Sequence, residues 1–367
     1  MTYKNIPIAD PVRELKEIEN FDNDFLDQVH KGVFVGGENV KVLEKELSGY
    51  LNCKYVVTTN SGTDALIISM SQLNLSPGDE VLIPSFTFFA TAEAIMHFGL
   101  KPVFVDIDLA TFTVKYDSLV ENLTDNTKAF IPVHLFGKSS LSTEIIDFCK
   151  EKNIKIIEDC AQSFGSKYEE IFLGNFGEMG AFSFFPSKTL GGIGDGGCIT
   201  TNNENIYHNI LKVKNHGQIS AYEHEINGVN SRLDSLNAFT LVKKLQIFEK
   251  IKLSRRNLFN FFNSNINNEE VRKPNFNNDE VPNYYSLLVE NRSQLIEHLN
   301  LHNISSNIYY KNPIHRQKAL EKYDYRASSL KNTDMISKKI LSIPFFAFIE
   351  DDEQERIVEV INNFKSK

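Results

Sequence analysis

Between residues 55 and 158 short apolar runs alternate with amphipathic ones. The apolar runs fall at 55–59, 81–84, 102–106, 129–133 and 155–158, each too short for a helix. The stretches between them, at 63–73, 90–98 and 142–152, carry apolar residues at helical spacing. Strands that are apolar throughout and separated by helices predict a mainly parallel sheet with helices on both faces. Ligands of such sheets bind beyond the carboxyl ends of the strands.

The flanking segments extend this pattern. Asp10-Pro11 predicts a helix start, with the helix running to about His30. Gly36-Gly37 breaks the chain before a second helix bearing Val40, Leu43 and Leu47. Further on, Ala181-Phe182-Ser183-Phe184-Phe185 reads as a buried strand that Pro186 must end, since proline cannot donate to a ladder. Past Ser231 an amphipathic helix carries Leu233, Leu236, Phe239, Leu241, Leu245 and Phe248, and is expected to reach Leu253 or beyond. Residues 263–268 read as a polar surface loop. Strands at 284–289 and 306–310 and helices at 292–301, 328–339 and 351–364 follow. The expectation is an α/β protein with a large sheet-containing domain, 1–250, and a smaller C-terminal α/β domain, 251–367. No internal repeat or low-complexity tract interrupts it.

Composition narrows the function classes. The 367 residues are 41% hydrophobic and 24% charged, with a net charge of −9. An acidic chain without a long basic run points away from nucleic acid and anionic membrane. Met1 to Pro7 holds no apolar signal segment, and the most apolar long stretch, 81–98, is interrupted by Pro84, Glu93 and His97. Cys53, Cys149, Cys160 and Cys198 are scattered without a C-x-x-C pair. They read as buried free thiols in a reducing, cytoplasmic setting, with no metal-ligand set.

Three places along the chain carry candidate chemistry. Lys188 follows a buried strand and precedes Gly191, Gly192, Gly194, Gly196 and Gly197. A lysine among apolar and glycine residues should have a lowered pKa, as a Schiff-base lysine needs. A solvated surface lysine is the plainer alternative. Ser61-Gly62-Thr63 follows the first strand and opens a helix, an arrangement suited to a phosphate or to simple capping. Asp159 ends the strand at 155–158 and reads as a partner for a buried cation or as a cap. Gly192-Ile193-Gly194-Asp195-Gly196-Gly197 satisfies G-x-G-x-x-G literally. The dinucleotide fingerprint must open a helix, however, and residues 198–201 read as a strand.

A phosphate cradle, an aspartate at a strand end, then a serine and a lysine after a later strand is the layout of fold type I pyridoxal-phosphate enzymes. The segments 61–66, 158–162, 183–188 and 228–234 together resemble nucleotide-sugar aminotransferases of the DegT/StrS type. The resemblance covers nearly the whole chain. It implies pyridoxal 5'-phosphate as cofactor, with Lys188 forming the Schiff base and then carrying protons, and Asp159 holding the pyridine nitrogen protonated. It further implies Gln162 on the ring hydroxyl and Ser61, Gly62, Thr63 and Ser183 at the phosphate. Phe88 would stack on the ring, or else belong to the core. Asn230 would reach the phosphate of a second subunit, so that a homodimer shares its active sites.

The substrate class follows from the same resemblance. Residues 216–234 are most similar to members that aminate C-3 of a nucleotide-linked keto sugar, with L-glutamate as donor. A UDP-linked 2-acetamido-3-keto sugar or uronate comes first and a dTDP-linked 3-keto-6-deoxyhexose second, with amination at C-4 as a further alternative. Arg232 would fork a substrate carboxylate or pair with Asp234. Tyr309 and His315 are candidate sugar contacts, His315 equally a plain loop residue. A sugar dehydratase on the same scaffold would carry histidine in place of Lys188, and a non-catalytic scaffold would not need Asp159, Gln162, Ser183 and Lys188 together.

Overall fold

A computed structural model describes residues 4–367; of the opening segment, Met1 to Tyr3 lie outside the described residues. An eight-stranded sheet crosses the molecule in the order 55–59, 197–201, 179–183, 155–159, 127–130, 80–84, 101–105, 326–327. Strand 197–201 runs antiparallel to both neighbours, and the remaining pairings are parallel. The expected mainly parallel α/β class is the one observed.

Successive residues of the central strands enter different cores. Leu82, Val103, Phe130 and Ile156 pack on one face with Ile145 and Phe148 of the helix Thr143–Glu151. Ile83, Phe104, Ile131 and Ile157 pack on the other with Leu66 and Ile95 from the helices Gly62–Ser71 and Ala90–Met96. A strand buried on both faces has no polar alternation to show, which is why these strands read as apolar runs.

Several boundaries differ from the sequence reading. The first helix is two, Val12–Lys16 and Phe21–Lys31, because Asn20 turns the chain with φ at 56°. Pro11 occupies the cap without a side-chain bond, and the Asp10 carboxylate pairs with Arg13 at 3.0 Å instead. The strand carrying Phe182 spans Met179–Ser183; Phe184 is buried beyond its end, but Phe185 is half exposed rather than core. The helix expected from 233 to 253 breaks at Ile247, where φ and ψ are −105° and 11°. Phe248 is fully buried just after this break. The second piece runs to Asn265, so residues 263–265 are helical, and Asn263 accepts a hydrogen bond from the Tyr285 hydroxyl at 2.7 Å.

A second sheet of three strands, Val271–Arg272, Tyr285–Val289 and Ile340–Ile343, lies in the C-terminal part. No strand forms at 306–310. The Asn307 side chain takes the Ile308 amide at 2.8 Å, which diverts that donor from a ladder, and only one bridge to Ser342 remains. The helix expected from 328 begins at Lys331, where the Asp106 carboxylate accepts from the amides of Asn332 and Thr333 at 2.9 and 2.8 Å. Arg326–Ala327 joins the edge of the large sheet, so the C-terminal part also touches that sheet directly.

Candidate active site

At the carboxyl ends of the strands 55–59, 155–159 and 179–183 lies a cavity of about 450 Å³, ordinary for a small-molecule site. Its walls come from the segments that follow those strands, together with Thr87, Phe88, Tyr284, Tyr309 and Tyr310.

One wall is the start of the helix Gly62–Ser71. Ser61 caps it in an extended conformation, its hydroxyl accepting from the Asp64 amide at 3.1 Å. The capping alternative is therefore real, and it leaves the amides of Gly62 and Thr63 at the positive end of a ten-residue helix. Two glycines make room here. A Cβ on Gly62 would fall 2.7 Å from the Ser183 Cβ, and one on Gly197 would fall 2.6 Å from the Ser61 carbonyl. The cradle is thus a space that side chains would fill, bordered by amides and the hydroxyls of Thr63 and Ser183, and it fits a phosphate.

The floor carries Asp159, 5% exposed. One carboxylate oxygen accepts from the Ala161 amide at 3.1 Å and the other from the Thr91 hydroxyl at 2.9 Å. Burial pushes the Asp159 pKa up; those two bonds and the charges of Lys188 and His134 pull against it. A cation arriving in the cavity would complete this carboxylate. Beneath it, Glu158 is saturated: it accepts from the amides of Gly174, Phe176 and Gly177 and lies 3.1 Å from His134 Nε2. His134, Glu158 and Cys160 come close enough to hold a metal ion, but Glu158 is already spent on these contacts.

Lys188 faces Asp159 across the cavity. Its side chain has no hydrogen-bond or ion-pair partner among the described residues, and burial lowers its pKa to about 8 against the opposing charge of Asp159. The chain remains partly open to the cavity, so this amine is both reachable and poorly hydrated. A surface lysine is not what the fold contains.

Gln162 is oriented from two sides. Its Oε1 accepts from the Phe136 amide at 2.8 Å, and its Nε2 donates to the Tyr310 hydroxyl at 3.0 Å, which leaves one Nε2 hydrogen uncommitted. Phe88 is 56% exposed, with its ring 6.0 Å from that of Tyr310, so it lines the cavity and is not core. Tyr309 also lines the cavity, its ring tilted 33° against that of Tyr284 with centroids 4.5 Å apart, and burial pushes its phenol up to about 12.

Three expected residues do not enter this cavity within one chain. Arg232 is exposed, and its Nε donates to the Asn230 Oδ1 at 2.7 Å; no ion pair with Asp234 forms among the described residues. Asn230 is held in that contact. His315 has both ring nitrogens engaged, Nδ1 with the Ser85 hydroxyl at 2.7 Å and Nε2 with Asp334 at 3.2 Å. Thr91, Tyr284, Tyr310 and Ser187 escaped the sequence reading although Thr91 touches Asp159 and the other three line the cavity. The Tyr309-Tyr310 doublet was a visible signal; nothing local marks Thr91.

The model of the DegT/DnrJ/EryC1/StrS aminotransferase family matches residues 16–362. A UDP-2-acetamido-2-deoxy-3-oxo-D-glucuronate aminotransferase of Pseudomonas aeruginosa is 34% identical, covering 90% of this chain and 92% of its own. A pleiotropic regulatory protein of Geobacillus stearothermophilus is 32% identical over 98% of both chains. The crystal structure of a DegT DnrJ EryC1 StrS aminotransferase from Brucella abortus superposes with a TM-score of 0.91 at 33% identity, over 98% of this chain and all of the other.

Proposed function

The chain belongs to the DegT/DnrJ/EryC1/StrS aminotransferase family, and from that premise we propose that it moves an amino group from L-glutamate to C-3 of a nucleotide-linked keto-hexose. A UDP-linked 2-acetamido-3-keto sugar, or its uronate, is the substrate class put forward. The observation that carries the reading is Lys188, without a side-chain partner among the described residues, facing Asp159 in the cavity that the N-terminus of the helix Gly62–Ser71 also lines.

The cofactor is pyridoxal 5'-phosphate. Ser61, Gly62, Thr63 and Ser183 would hold its phosphate, Asp159 its ring nitrogen, Gln162 its hydroxyl and Phe88 one ring face. When bound, it supplies an electron-withdrawing ring that accepts the electron pair of the carbon being deprotonated. The protein's residues do the rest. Lys188 Nζ, with a pKa of about 8, exchanges a proton readily near neutral pH. Thr91 and the Ala161 amide aim the Asp159 carboxylate. Tyr310 and the Phe136 amide fix the Gln162 side chain. Tyr284, Tyr309 and Phe88 line the cavity with aromatic surface that would keep water from a bound substrate.

The cofactor-holding part is taken as residues 1–250 and the smaller part as 251–367. Asn230 and Arg232 would serve the cavity of a second copy of the chain, in a homodimer working in the cytoplasm. Four free, buried cysteines suit a reducing compartment, and no described helix is long and apolar enough to cross a membrane. A dehydratase is disfavoured by Lys188. The regulatory name of the Geobacillus relative is outweighed by the retention of Lys188, Asp159, Gln162 and Ser183, which no scaffold role requires together. One observation favours a second reading, a dTDP-linked 3-keto-6-deoxyhexose: Lys188 is the only cation lining the cavity among the described residues, so a sugar carboxylate finds no partner within one chain.

The deciding experiment supplies UDP- and dTDP-linked 3-keto and 4-keto sugars, with glutamate, and identifies the amino sugar by mass spectrometry and NMR. An amine appearing only at C-4 would overturn the proposal.

A further inference from the structure

Lys188 rides on a loop that the sheet grips at its ends, with the Phe184 amide on the Gly196 carbonyl at 2.8 Å and the Gly192 amide on the Phe184 carbonyl at 2.7 Å. The middle of that loop rests on the helix Ser235–Gln246. Asn237 and Lys244 lie about two turns apart on one face of it. Asn237 accepts from the Ile193 amide at 3.0 Å and donates to the Asp195 carbonyl at 2.8 Å. Lys244 Nζ donates to the Gly191 carbonyl at 2.6 Å. At Gly191 the backbone passes so closely that a Cβ would fall 2.3 Å from the Pro186 carbonyl oxygen.

Lys244 is 1% exposed, and a lysine that deep requires a partner. It has one in Glu14, from the first helix, itself 3% exposed. The other Glu14 oxygen lies 3.8 Å from Arg255, 2% exposed on the following helix. Arg255 donates to the Asn283 carbonyl at 3.3 Å, and Asn283 Oδ1 accepts from the Thr189 hydroxyl at 3.1 Å. The Asn283 amide donates to the Phe136 carbonyl at 2.8 Å, and the Phe136 amide holds Gln162. A single buried series of polar contacts therefore grips Thr189 and Gly191, just after Lys188, and ends on Gln162. Residues 4–60 contribute no side chain to the cavity. A buried charge triad is a poor device for stability alone, since apolar groups of equal volume would serve as well.

We propose that Glu14, Lys244 and Arg255 form a buried positioning network that holds the Lys188 loop and Gln162 in register with the cavity. Lys244 is its positioning residue, acting through the Gly191 carbonyl. The role assigned to the network rests on the reading of Lys188 as the lysine that engages the cofactor. The network itself can be tested without that reading.

The test compares the full-length wild-type chain with Lys244→Met and Lys244→Arg, with and without added pyridoxal phosphate. Amide hydrogen exchange is read by peptide, and cofactor capture by visible absorbance. Lys244→Met should raise exchange across residues 186–192 by about tenfold or more while strand 101–105 and helix 351–363 keep wild-type protection. It should also slow cofactor capture, and Lys244→Arg, which keeps a donor, should recover most of both. Unchanged exchange at 186–192, or an equal loosening of the whole chain, overturns the proposal. If Lys244→Met does not fold, Thr189→Val removes one tie to the loop without stranding a charge. Wild-type exchange at 186–192 in that variant would sink the idea as well. Failure of any cofactor to attach at Lys188 would instead refute the reading of the site, and exchange in the cofactor-free chain would still decide the network.

Discussion

The floor of the cavity and the segment 218–232 are built on opposite principles. On the floor, Asp159 and Glu158 are nearly sealed from water, and their oxygens accept bonds from fixed neighbours. In the other segment Tyr222 is 92% exposed at the tip of a short hairpin, Ile219 is 56% exposed, and Arg232 hydrogen-bonds only to Asn230 among the described residues. The floor is determined by the fold of one chain. The hairpin segment leaves large apolar side chains and the Arg232 guanidinium exposed on the surface of one chain. Reaction chemistry thus sits where geometry is over-determined, and substrate choice, on the proposed reading, sits where a second surface must finish the job.

The sharpest way to break this comparison is at Lys188. Lys188→Ala should abolish turnover and leave the protein colourless with pyridoxal phosphate. Borohydride treatment of the loaded wild type should leave a pyridoxyl adduct on Lys188 by mass spectrometry, and an adduct on any other lysine would refute the assignment. Next in size is Asp159→Asn, which keeps the shape of the floor but removes its charge. Turnover should fall by several orders of magnitude, since a charge-assisted bond in a dry site is strong; a variant with wild-type rates would mean the floor does no electrostatic work.

The hairpin segment is probed by mixing. Lys188→Ala and Asn230→Ala proteins, each inactive, should regain part of the activity when their subunits exchange, because one site of each hybrid would be intact. No recovery after verified exchange would confine Asn230 to its own chain. Arg232→Lys should cost a uronate substrate roughly ten- to a hundredfold more than a neutral 3-keto sugar, the worth of one lost bidentate pair. Equal losses would make Arg232 structural and put the dTDP-linked deoxyhexose first. The smallest effect belongs to Thr91→Val, which deletes one of two bonds to Asp159. A loss of about tenfold in turnover with an unshifted melting temperature is expected, and unchanged kinetics would show that the Ala161 amide suffices.

Much of this architecture was legible because it is local. The strands 55–59, 80–84, 101–105 and 155–159 announced themselves as apolar runs, and Ser61-Gly62-Thr63 as a turn that opens a helix. Lys188 was expected to have a lowered pKa from its apolar and glycine neighbours, and burial does lower it. What sequence did not reveal depends on contacts between distant positions. Thr91 matters only because the sheet brings it to Asp159, 68 residues away. Arg326–Ala327 is too short to carry a period and becomes a strand by docking beside strand 101–105. Ile340–Ile343 falls in no expected element: the expected helix stops at 339, and the four-residue run becomes a strand only by pairing with strand 285–289. His315 shows the converse: a promising local context, with both nitrogens claimed by Ser85 and Asp334.

The place of strand 55–59 at one edge of the large sheet has a consequence for how the chain is made. Its ladder partner is strand 197–201, with Tyr55 opposite Thr201. During synthesis the first strand to emerge must therefore wait, its Val56 and Val57 unburied, until well over a hundred further residues have followed. Pairing over such a sequence separation is slow, and an unpaired apolar strand invites association with other chains. The phosphate cradle after that strand closes only when Gly197 arrives against Ser61. The loop carrying Lys188 gains its ties to Lys244 and Asn283 later still. Capture of pyridoxal phosphate by nascent chains should therefore begin no earlier than the emergence of residue 283 from the ribosome, and a truncation series from 201 onward would time the event.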